Sequence, residues 1–170
     1  MLGITRVLLV AATMIPVASM AQAQAQTPAP PGAHVYIIWP NDGERIKGGF
    51  WCRFGLRNMG VSRAGDSTPG VGHHHLMVDV NAPLDPNERI PSDKNHLHFG
   101  GGQTEVRLEL PPGEHTLQLV LGDAEHRLFN PPIVSRKIRI TIVGGAQQAE
   151  TTPVVRAALS ATPGSRQRAQ

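Results

Sequence analysis

Short apolar runs that alternate with polar residues, each broken by Pro or Gly, constrain this chain more than any other feature. The runs are Val35–Trp39, Phe50–Leu56, His73–Val80, Glu105–Leu110, His115–Leu121 and Lys137–Val143. A period of two puts every second side chain on one face of a strand. Phe50, Cys52, Phe54 and Leu56 then share a buried face, as do His74, Leu76, Val78 and Val80. The same parity buries Val106, Leu108 and Leu110, then Leu117, Leu119 and Leu121, then Ile138, Ile140 and Ile142. No stretch carries a sustained helical stripe. Turn signals such as Pro40–Gly43 and Pro111–Glu114 separate the runs. The pattern predicts an all-β domain over residues 34–143, an immunoglobulin-like antiparallel β-sandwich of six to seven strands. A small barrel is the alternative. With aromatics at only 4% of the chain, the core must be mainly aliphatic.

The flanks read differently. Arg6, the apolar run Val7–Met14, Pro16 and the small residues after it have the form of a secretory signal over residues 1–25. Cleavage is expected after Ala21, Ala23 or Ala25. The apolar run is shorter than the roughly 20 residues a spanning helix needs, so no transmembrane anchor is expected after cleavage. Residues 26–33 read as a disordered linker and residues 144–170 as a disordered tail, both rich in Ala, Gln and Pro or Thr. The expected location is the periplasm or the exterior. Cys52 is the single cysteine, so no internal disulfide can form, and its parity makes it a buried hydrophobe.

The full chain carries 16 Lys+Arg against 13 Asp+Glu. Between His34 and Val143 the count is 12 against 12, so the surplus belongs to Arg6, Arg156, Arg166 and Arg168. A neutral folded segment argues against electrostatic nucleic-acid binding. All eight histidines lie within that segment.

Four of those histidines form two His-x-His pairs, His73 with His75 and His96 with His98. Residues two apart on a strand point the same way with Cα atoms about 6.5–7 Å apart, so two imidazoles can converge on one ion. Two such pairs on neighbouring strands would supply up to four nitrogens, suited to copper or zinc. Met77 and Asp79 follow on the same parity as candidate additional ligands. Met59 is another soft donor, and Asp79, Asp93 and Glu105 are candidate acceptors that would orient the rings. A metal-free polar network among the same histidines is the competing reading, and a pH-responsive cluster a third. His74 belongs to the core face. His34, His115 and His126 are read as ordinary loop or strand-end histidines. Gly100–Gly102 precede a strand rather than a helix, which argues against a phosphate cradle. The long segments Met59–Gly72 and Asn81–Asn95 flank the two pairs as candidate binding rims.

The segments Gly72–Asp79, Asn95–Glu105 and Pro111–Asp123, followed by Asn130–Pro132 and a final strand, resemble an exported bacterial family catalogued as domain of unknown function 4399. The likeness runs from about Val35 to Val143. It implies a small, signal-bearing, all-β protein, and it implies no activity and no ligand residues. The residues themselves favour a non-enzymatic exported binding module, a monomer, whose ligand is a metal ion held by His73, His75, His96 and His98. A structural or ligand-recognition module with an envelope partner is the alternative. A metal-dependent hydrolase or oxidase using Glu105 or Asp79 as base is the third reading, and no Ser-His-Asp ordering supports it.

Overall fold

A computed structural model describes residues 26–144. They form nine strands and no helix: β1 His34–Trp39, β2 Glu44–Lys47, β3 Phe50–Arg57, β4 Gly60–Val61, β5 Val71–Val78, β6 His96–His98, β7 Glu105–Leu108, β8 Gly113–Gly122 and β9 Ile138–Val143. One sheet has the order β1-β3-β7 and the other β2-β9-β8-β5-β4, with β6 also paired to β5. The two sheets pack as an all-β sandwich of the expected kind. The strand count exceeds the six to seven expected because β2, β4 and β6 are only two to four residues long. Runs as short as β2 and β4 carry too little alternation to be read, whereas the extended form of His96–His98 follows from its His-x-His spacing. The sheets are also not wholly antiparallel, since β2 runs parallel to β9 and β4 parallel to β5.

Between the sheets lie Val35, Cys52, Phe54 and Leu108 from one side and Leu76, Leu117, Leu119 and Ile140 from the other. Apart from Val35, these are residues that strand parity assigns inward. Alternation survives in β7 and β9, where one face meets solvent. It fails in β5, where every residue from Gly72 to Val78 is buried. The face of β5 opposite the main core carries a second apolar cluster of Met77, Ile90, Val120 and Leu128. Ile90 and Leu128 come from the long connections after β5 and β8, which fold back over the larger sheet. His73 and His75 therefore do point away from the main core, yet each has no solvent exposure.

The segment 26–33, read from composition as a linker, carries hydrogen bonds to the domain. Thr27 Oγ1 donates to Asp123 Oδ2 at 2.7 Å, Ala29 N to Asn130 O at 2.9 Å, and Asn130 N to Thr27 O at 2.9 Å. Polar, Pro-rich composition predicts an absence of core residues, but backbone pairing needs none. The predicted signal and nearly all of the predicted tail lie outside the described residues.

Candidate metal centre

Strand β5 is the axis of the site. On one side it pairs with β8, so that His73 faces Gly122 and His75 faces Val120. On the other side it pairs with β6, so that His75 faces His98. Cross-strand neighbours on one face approach closely, and the rings of His75 and His98 lie 5.0 Å apart. His73 joins them at 5.1 Å from His98 and 4.9 Å from His75.

His126 completes the group from a hairpin loop. Beyond β8 the chain reverses through Ala124–His126, closed by Asp123 N to Arg127 O and His126 N to Asp123 O, both 3.0 Å. Asp123 Oδ1 accepts from the amides of Glu125 and Arg127 at 3.0 and 2.8 Å. Three-residue hairpins of this kind need a left-handed residue at the third loop position, a place glycine usually takes. Here His126 takes it, with φ of 65°. A non-glycine residue in that region costs free energy, and such positions cluster at functional sites. Its ring lies 4.7 Å from that of His98 and 4.9 Å from that of His73.

His73, His98 and His126 each offer a nitrogen, and the three lie within 4.8 Å of one another. His75 sits behind them, with its Nε2 3.0 Å from His73 Nε2. His98 and His126 make the matching contact, Nε2 to Nε2, at 3.1 Å. Both distances allow one ring's N–H to donate to the other's bare nitrogen. They are also near the edge of a tetrahedron of nitrogens about 2.0–2.1 Å from a central ion, roughly 3.3 Å. Nδ1 of His73 and Nδ1 of His75 are buried without a hydrogen-bond partner.

Two glycines make room for the rings. A Cβ at Gly122 would stand 2.9 Å from His75 Nε2, and one at Gly100 would stand 2.4 Å from His98 Cε1. Gly100 thus has a steric role consistent with close backbone approach to the histidines.

Burial governs the electrostatics. It pushes His73 down to about 4, with the nearby His126 and His98 adding to the effect and Asp123 opposing it. Burial also lowers His75, to about 2, reinforced first by His73. His98 is lowered by burial and then by His126. Those three imidazoles are therefore neutral at ordinary pH, with a lone pair free on each ring.

The remaining predicted residues go elsewhere. His96 follows His98 in parity, but its Nδ1 donates to the Asp93 carboxylate, 2.9 Å from Oδ1 and 3.0 Å from Oδ2. Met77 packs in the apolar cluster with Ile90, Val120 and Leu128, and Met59 packs against the main core. Asp79 accepts from His115 Nδ1 at 2.7 Å and from Thr116 N at 2.8 Å. Glu105 pairs with Arg53 at 3.3 Å. His74 is buried beside Phe54, its Nδ1 3.2 Å from the Gln103 carbonyl, as its core parity implied. His126 is the member that strand reasoning missed. The signal available was Asp123 opening a short turn after a strand, with His at the glycine-like position.

Among known proteins, a family model described as "Domain of unknown function (DUF4399)" matches residues 52–143. No curated protein matches. A solved structure of the endo-beta-1,4-mannanase from Thermotoga petrophila is similar at 16% identity and a TM-score of 0.40, covering 66% of this chain and 20% of that one.

Proposed function

The chain belongs to the family described as domain of unknown function DUF4399, and since that description assigns no activity, we propose a function from the site itself. The protein is an exported, non-enzymatic binding module that holds a divalent transition ion through His73, His98 and His126, with His75 in contact behind them. The observation that carries this reading is the convergence of three imidazole nitrogens within 4.8 Å, from two strands and a hairpin. Nδ1 of His73 and Nδ1 of His75 are both buried without a partner, so each ring carries an unsatisfied nitrogen in the metal-free protein, at a cost in free energy.

The donor set bears on the ion. Soft thioether and thiolate ligands select Cu(I). Met77 lies in an apolar cluster and Cys52 in the main core, leaving the cluster with nitrogen donors. Imidazole alone suits Cu(II) and Zn(II), with copper the tighter binder of the two. Export rests on the signal pattern of residues 1–25.

One observation favours a second reading. The Nε2 contacts of 3.0 and 3.1 Å also suit a metal-free network of two imidazole–imidazole hydrogen bonds. Titration of the purified protein with Cu(II) and Zn(II), with the bound ion counted by native mass spectrometry, separates the two. Stoichiometric binding lost in a His73→Gln/His98→Gln variant supports the metal reading. Equal, weak binding by both proteins sinks it.

A further inference from the structure

His96 and Asp93 form a built pair at the rim of the cluster. The Asp93 carboxylate is itself fixed, with Oδ1 accepting from Asn95 N at 2.7 Å and from His96 N at 3.0 Å. Both of its oxygens then meet His96 Nδ1. A ring that donates Nδ1–H to a carboxylate keeps its lone pair on Nε2, and this is how ligating histidines are commonly oriented. Nε2 of His96 has no hydrogen-bond partner among the described residues. The residue lines an open cleft of about 360 Å³ with Asp93, Gln103, Phe99 and His98. His98 therefore belongs both to the cleft and to the cluster. The step between them is short, since residues two apart on a strand lie about 6.5–7 Å apart. It is also rigid, because Leu97 pairs with Leu76 and Phe99 N donates to His74 O at 3.0 Å.

Resting on the metal reading above, we propose that His96 is a rim ligand. It takes a divalent transition ion from solvent in the cleft and passes it to His98, through which the ion reaches His73 and His126. The pair gives a role to a second His-x-His of which only one member reaches the cluster. His73 is fully buried while His98 and His126 are partly exposed, so an ion enters from the His98 side, where the cleft lies. Asp93 contributes a carboxylate at the same mouth, which favours a cation there.

The test is stopped-flow loading of the purified protein with Cu(II), and removal by a chelator, following the imidazole–copper absorbance. His96→Gln and Asp93→Asn should each slow both loading and removal by about tenfold, comparable to other losses of a ligand-orienting partner. Circular dichroism checks that both variants remain folded. Wild-type rates in both variants overturn the proposal. So does a loss of final affinity without slower exchange, which would make His96 a ligand of the seated ion. If the wild-type protein takes up no copper, the metal reading itself has failed, and the rim proposal with it.

Discussion

His126 Nε2 lies 3.1 Å from His98 Nε2, so a hairpin loop and an edge strand meet at one point. The contact places His126 in the cluster although it belongs to neither His-x-His pair. His126→Gln should weaken copper binding at least about as much as the 10–100-fold typical of losing a ligand's supporting partner. His115→Gln, far from the cluster and bonded to Asp79 and Pro111, should leave binding intact. Isothermal titration of the two variants checks the contrast. Equal affinities would remove His126 from the site.

Gly122 and Gly100 should resist any added side chain. A methyl group at Gly122 would sit 2.9 Å from His75 Nε2, inside ordinary contact. Overpacking a closed interior costs about 1–3 kcal/mol, so Gly122→Ala should lower stability by that amount in urea unfolding. Gly100→Ala meets the His98 ring more closely still. Here the expected relief is rotation of His98, read as a loss of metal affinity.

Stability should fall as the solution is acidified. Burial holds His73 near 4 and lowers His75 and His98 from their ordinary value of 6.5. The unfolded chain therefore binds more protons than the native one below 6.5, and stability rises with pH wherever that holds. The contribution is complete above pH 6.5 and is lost progressively as pH falls toward 4. Thermal melts of the metal-free protein between pH 4.5 and 7.5 should show the decline. A His73→Phe variant, if it folds, should show a shallower one.

Cys52 should be inert in the native protein. It is fully buried, and burial pushes its thiol up to about 12. The thiolate is the reactive form, so a thiol reagent at pH 8 should label the protein only after denaturant is added. Rapid native labelling would mean that the core around Phe54 and Val106 opens readily.

Much of the fold was legible because strand parity is local. Cys52, Leu76, Val106 and Leu117 could be assigned to the core from their neighbours along the chain, and each is buried. His74 followed the same logic. The extended form of His96–His98 beside β5 was also legible, from its His-x-His spacing, whereas Glu44–Lys47 and Gly60–Val61 were not, since they owe their extended form to hydrogen bonds with β9 and β5. Nor were the hydrogen bonds that tie Thr27 and Ala29 to Asp123 and Asn130.

The sequence by itself determined the all-β class, the inward faces of the strands and the presence of histidines on the opposite face of β5. Those properties follow from a two-residue period and need no knowledge of what lies across the sheet. Only the tertiary structure decided which histidines meet. His96 and His98 share a face, yet Asp93 turns one ring away while the pairing of His98 with His75 holds the other in the cluster. His126 arrives because Asp123 shapes the hairpin loop after β8, a contact made through backbone amides that leave no periodic trace. A site of this kind is set by distances between strands and loops remote in the chain, and those distances exist only once the sheets have packed.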